Sequence, residues 1–146
     1  MPATSPGGAQ DLLASIPFAA VLGIRVTGAS PEQVSGEMDW ARERCTAGGL
    51  LHGGVVMSLA DTIGAICAFL NLPAGATTAT VESKTNLFRS VRGGTLRASA
   101  RPLHAGKMFI VVQTDLVNDA GQPVGQTTQT QAVLMPRLLA GAGGPA

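Results

Sequence analysis

A chain of 146 residues that is 45% hydrophobic and only 13% charged has the material for one buried core, which excludes a disordered segment. A formal net charge of +1, with no run of basic residues, excludes the electrostatic footprint of a nucleic-acid binder. So few charges on a domain of this size predict that another subunit covers part of its surface.

Met1 to Gly8 has no basic region followed by an apolar run, so no secretory signal is expected. That segment and residues 137–146 are rich in Gly, Pro and Ala and read as flexible tails around a single domain, 9–136. Gln10 to Ala20 reads as one short helix carrying Leu12, Leu13, Ile16 and Phe18. Two strands are expected at Leu22–Thr27 and Gln33–Trp40, joined by the turn residues Gly28-Ala29-Ser30-Pro31. A helix then runs from about Gly54 to Leu70, apolar nearly all round, and a helix of that kind must be wrapped on several sides. Its apolar run contains Asp61 and Gly64, lacks basic flanks, and falls short of the roughly 20 residues that span a bilayer. Asn71-Leu72-Pro73-Ala74-Gly75 ends it.

Everything downstream reads as strand. Thr77 to Phe88 comes first, and Arg92-Gly93-Gly94 turns the chain. Leu96, Ala98 and Ala100 then alternate with Arg97, Ser99 and Arg101, as in a half-buried strand. Another strand starts at Gly106 and carries Ile110, Val112 and Leu116 on one face. Asn118-Asp119-Ala120-Gly121 is a hairpin turn, and Pro123 to Leu134 returns. One buried helix followed by an antiparallel meander is an α+β domain whose curved sheet wraps the helix, the hotdog arrangement. Cys45 and Cys67 form neither a zinc pattern nor a disulfide framework, and read as reduced thiols of a soluble cytoplasmic protein. No membrane contact is expected.

The chemistry concentrates in the helix. Asp61 is the only Asp, Glu, Lys or Arg between Arg44 and Glu82, and in apolar surroundings it is expected to lose hydration, which marks it as a functional candidate. His52-Gly53-Gly54 opens the helix, where unpaired backbone N–H groups and the helix dipole suit a developing oxyanion. Gly54, Ser58, Asp61 and Thr62 follow i, i+4, i+7, i+8 spacing and form a polar stripe. At 1.5 Å per residue, Asp61 lies roughly 10 Å along the axis from Gly54, so one carbonyl cannot meet both on a single helix. An antiparallel copy of the helix in a two-fold dimer would bring Asp61 of one chain near His52, Gly53 and Gly54 of the other. No metal site is expected, because His52 and Asp61 lack companions with ligand spacing. Ser58 lacks the sequence of a nucleophile elbow.

The run Thr46-Ala47-Gly48-Gly49-Leu50-Leu51-His52-Gly53-Gly54 followed by Asp61 resembles the motif of hotdog-fold acyl-CoA thioesterases of the phenylacetate-pathway (PaaI-like) type. The likeness extends from about Ile24 to Leu134 and includes Thr80 to Arg89. It implies that Asp61 activates water or attacks the thioester carbonyl itself. Gly54 N–H would polarise the carbonyl oxygen with Gly53 adjacent, and His52 would position the thioester. Thr80 would orient the water, and Arg89, Ser90 and Arg92 would meet the coenzyme A phosphates. Thr46 stands where that family carries Asn, with less reach and fewer donors. The substrate would be an acyl-CoA, coenzyme A entering only as part of it, with no separate cofactor. The assembly would be a homodimer or homotetramer. A non-catalytic acyl-CoA binding module on the same fold is the alternative. The acyl pocket has candidates in Met57, Phe69, Leu70 and Phe88.

Overall fold

The computed structural model describes residues 6–136. It begins with α1 (Pro6–Ala14) and α2 (Pro17–Leu22), two helices where the sequence predicts one. Pro17 is the cause: proline restricts the preceding residue to extended backbone and favours the first position of a new helix, and Ile16 sits at φ −104°, ψ 99°. Phe18 is 55% exposed rather than packed. Because α1 starts at Pro6, three residues of the segment read as a tail belong to it; residues 1–5 and 137–146 lie outside the described residues. Gly23 closes α2 at φ 65°, a left-handed cap open to glycine, and the first strand therefore starts later than expected.

Six strands follow around one long helix: β1 (Arg25–Ala29), β2 (Val34–Asp39), α3 (Gly53–Phe69), β3 (Thr77–Leu87), β4 (Thr95–Ala105), β5 (Phe109–Val117) and β6 (Pro123–Leu134). They form a single antiparallel sheet in the order β1-β2-β4-β5-β6-β3. The hotdog expectation holds, and the inserted α3 is what sends β3 to the far edge, beyond β6. No helix among the described residues is long and apolar enough to cross a membrane.

The sheet's inner face changes character along that order. On β2, β4 and β5 it carries Val34, Met38, Leu96, Ala98, Ala100, Ile110, Val112 and Leu116, all buried. On β6 it carries Thr127, Gln129 and Gln131, equally buried but polar. The helix answers with Leu59, Ile63 and Ile66, each fully buried and each stabilising the fold by about 1.5–3 kcal/mol. Contact is close enough that a side chain at Gly36 would meet Ile63 Cδ1 at 2.2 Å. Asn71 fixes the far end of α3, its Nδ2 donating to Cys67 O (2.9 Å) and to Pro31 O (2.8 Å).

Two features of β3 govern what it presents to the helix. As an edge strand it pairs on one side only, and nearly all of its residues are exposed. Its ladder also shifts by one residue: Thr80 pairs with Gln131 and Glu82 with Thr130, leaving Val81 as a bulge. Below the bulge Ser83 and Thr85 lie opposite the inward Gln129 and Thr127; above it the inward set is Thr78 and Thr80. Since side chains alternate along a strand, only the extra residue lets both sets face the helix.

Candidate active site

The helix is not wrapped all round. Gly54, Met57 and Asp61 are exposed and Ser58 half-buried, so a stripe of α3 lies open along the molecule. Thr62, expected in that stripe, turns inward instead, and its hydroxyl donates to Ser58 O at 2.8 Å. Asp61 is therefore not desolvated by its own chain, contrary to the expectation from its apolar neighbours in sequence. Hydrophobic residues flank it, but they point the other way.

At the N-terminal end of the stripe, His52 is the N-cap residue. Its Nδ1 accepts the Gly54 N–H at 2.8 Å, and its carbonyl accepts from Val55 and Val56 at 2.9 and 3.2 Å. An Nδ1 that accepts leaves the imidazole proton on Nε2. Gly54 N–H, expected from the motif to polarise a carbonyl, is thus engaged by its own N-cap side chain. Gly53 N–H is the amide of this first turn with no acceptor among the described residues. It also borders a cleft at the helix start, which Gly54 does not. The physical reason is local: a histidine side chain at the N-cap folds back onto the amide two residues on.

That cleft holds about 260 Å³ and is lined by Thr46, Leu50, Leu51, Gly53, Val56 and the run Leu87–Val91. Two backbone anchors bring this run against the helix start: Val124 O accepts from Phe88 N at 2.8 Å, and Val91 O accepts from Leu51 N at 2.9 Å. Thr46, Arg89 and Ser90 are therefore gathered beside Gly53, and Phe88 joins them. Arg92 is exposed outside the lining. Met57 lies on the open stripe, while Phe69 and Leu70 border a different hollow at the other end of α3.

Asp61 stands two turns from this cleft, with a different set of neighbours. Its Oδ1 accepts from Thr80 Oγ1 at 3.1 Å and from Gln129 Nε2 at 3.0 Å. Behind them, Gln131 Nε2 donates to Thr80 Oγ1 at 2.7 Å, and Thr78 Oγ1 donates to Gln131 Oε1 at 3.2 Å. Oδ2 has no hydrogen-bond partner among the described residues. The carboxylate is thus tethered by one oxygen and offers the other to the open side of α3. Thr80 was legible; the two glutamines were not. A signal existed, since β6 reads Gly125-Gln126-Thr127-Thr128-Gln129-Thr130-Gln131 with polar residues on both faces, which a strand against a core seldom shows.

Other reactive groups lie apart from this arrangement. Burial pushes the Cys67 thiol up to about 12, so it stays protonated. Cys45 donates its thiol to Ala41 O at 3.3 Å. Among the described residues no three His, Cys, Asp or Glu side chains gather as a metal would need.

A family model described as the thioesterase superfamily matches residues 48–124, more than half of the chain. The chain belongs to the thioesterase superfamily. The match contains the N-cap histidine, both glycines, Asp61 and Thr80, and stops short of Gln129 and Gln131. Among solved structures, this thioesterase is similar to a thioesterase of Haemophilus influenzae, with TM-score 0.80 and 27% identity over 86% of this chain and 87% of that one. It is also similar to a mutant thioesterase of Pseudomonas aeruginosa, with TM-score 0.83 and 26% identity over 90% and 96% of the two chains. In sequence, 86 residues are 33% identical to the 1,4-dihydroxy-2-naphthoyl-CoA hydrolase of Escherichia coli, covering 59% of this chain and 63% of that protein.

Proposed function

We propose that this thioesterase hydrolyses an acyl-CoA to the free acid and coenzyme A, in an active site completed by a second copy of the chain. The observation that carries the reading is Asp61 itself, tethered through Oδ1 and open at Oδ2 on an exposed stripe of α3. Eight residues separate it from Gly53, roughly 12 Å at helical rise, which is too far for one thioester carbonyl to touch both. The open stripe of α3 and the one-sided edge of β3 support a two-fold partner that sets its Gly53 against this Asp61.

In such a site Oδ2 takes a proton from water, and the water oxygen bonds to the carbonyl carbon. Gly53 N–H meets the charge that develops on the carbonyl oxygen. When that charge returns to carbon, the C–S bond breaks, and the thiolate collects the proton from Asp61. In the alternative route Oδ2 bonds to carbon directly, the C–S bond breaks to release the coenzyme A thiolate, and water opens the resulting anhydride. A single turnover in ¹⁸O-water tests the route, because direct attack followed by opening of the anhydride at the Asp61 carboxyl carbon first delivers an unlabelled oxygen to the acid. Thr46 contributes one hydroxyl at the cleft, and Arg89 with Ser90 at its rim suits the phosphate-rich end of coenzyme A.

The coenzyme A thioester class is supported by the named substrate of the E. coli relative, which is aromatic. The phenylacetate-pathway (PaaI-like) subtype is supported by the spacing of His52-Gly53-Gly54 and Asp61. A cytoplasmic setting fits a substrate carried on coenzyme A. The test is thiol release from phenylacetyl-, benzoyl-, short- and long-chain acyl-CoA by wild type and Asp61→Asn. Release above the spontaneous rate, lost in the variant, is expected. Tight acyl-CoA binding without release would instead establish a non-catalytic binding module.

A further inference from the structure

We propose that Gln129 and Gln131 are positioning residues for Asp61, holding its carboxylate through Oδ1 so that Oδ2 is the working oxygen, and that residue 64 is glycine to make room for Gln129. The inference rests on the thioesterase reading for what Oδ2 does, while the tether itself is testable apart from it.

Both glutamines belong to the fully buried inner face of β6, where apolar side chains would fill the same space at less cost. Gln129 carries that cost visibly. Its Nε2 reaches Asp61 Oδ1, but its Oε1 is buried with no hydrogen-bond partner among the described residues. Turning the amide over would aim Oε1 at a carboxylate oxygen and repel it, so the orientation is set by the charge. Oε1 is then pressed against α3 at Gly64, where a Cβ would lie 2.0 Å from it. Gly64 is three residues beyond Asp61, so one turn of helix supplies both the carboxylate and the gap its tether needs.

Gln131 works one step back. By donating to Thr80 Oγ1, it occupies that oxygen as an acceptor and leaves the hydroxyl proton to Asp61. Thr78 Oγ1 in turn shares its one proton between Gln131 Oε1 and Ala132 O, which steadies the second amide. The chain of donors ends on one oxygen of one carboxylate, which Thr80 and Gln129 reach directly and Gln131 reaches through Thr80. A network so directed has little use as core packing.

The experiment compares wild type with Gln129→Met, Gly64→Ala and Gln131→Met, using whichever CoA ester the panel shows to be cleaved. Gln129→Met keeps length and loses the donor; kcat is expected to fall by about 10- to 100-fold with KM within about twofold, as expected for a misplaced catalytic group. Gly64→Ala should fall similarly although alanine favours helix, and Gln131→Met by about 3- to 10-fold. In an Asp61→Asn background Gln129→Met should cost nothing further. A lowered melting temperature with kcat unchanged, or the same loss in the Asp61→Asn background, would overturn the proposal. Independently of turnover, the Gln129 side-chain amide in ¹⁵N-edited spectra should shift and exchange faster in Asp61→Ala. An unchanged signal overturns the tether even if the enzyme is active. A wild type that cleaves no ester sinks the thioesterase reading alone, and the amide signal still decides the tether.

Discussion

The two ends of the open stripe on α3 are built in opposite ways. At the Gly53 end, cap, amide and one wall of the cleft come from neighbours in sequence: His52 bonds to Gly54, and Thr46, Leu50 and Leu51 lie beside them, with Leu87–Val91 as the opposite wall. At the Asp61 end almost nothing is local. Thr80 is 19 residues away, Gln129 is 68, and both arrive by way of the sheet. A helix start offers its amides wherever it forms, whereas a carboxylate must be oriented by side chains that the fold brings to it. One end is secured by secondary structure and the other by topology.

The largest effect expected of any change is at the topological end. Asp61→Asn should lower kcat by about 10³-fold, within the range for loss of a base or nucleophile, with the melting temperature kept because the residue is exposed. Equal turnover by the two proteins would remove Asp61 from the chemistry. At the local end, Gly53→Pro deletes the free N–H while leaving a residue that the first helical position tolerates, and kcat should drop by about 10²-fold. Mixing these two inactive variants tests whether the ends meet across chains. Random pairing should restore about a quarter of wild-type activity, since only mixed dimers hold one intact site. No recovery after co-refolding would return both halves to a single chain.

Smaller changes sharpen the contrast. His52→Ala removes the cap and should cost about 1 kcal/mol of stability by thermal melting, with activity falling mainly through a looser Gly53 turn. The outer face of the sheet belongs to neither end. There Arg25 and Thr95 hold the Asp39 carboxyl well below its ordinary 3.8, at about 2. That interaction is complete above pH 3.8 and is lost as the pH falls toward 2, because only the ionised form accepts from both donors. Arg25→Gln should therefore lower the melting temperature slightly at neutral pH, narrow that gap toward pH 2, and leave kcat alone.

The same contrast explains what the sequence made legible. Periodicity and turn residues are local signals, so α3, all six strands and the Asn118–Gly121 hairpin could be read, with Pro17 splitting the one helix whose break was overlooked. His52, Gly53 and Asp61 stood out because their type and spacing are also local. Which amide was free could not be read, because that depends on the rotamer of His52. The burial expected of Asp61 failed for a related reason: sequence neighbours on a helix face different directions. Gln129 and Gln131 escaped notice because their meaning lies in register, which pairs β3 with β6 across 38 to 57 residues of chain.

Register has a further consequence at Val81. The strand β3 is read by its neighbours two residues at a time, and Val81 is an insertion that changes the frame between Glu82 and Thr80. Deleting it would close the bulge and keep Thr80 opposite Gln131, whereas flattening the bulge with Val81 retained and paired would turn Thr78 and Thr80 to the solvent face and cost Asp61 a donor. A residue with no hydrogen-bonding side chain thus decides which hydroxyls reach the carboxylate. Pairing Val81 into the ladder would alter the chemistry more than many substitutions around it.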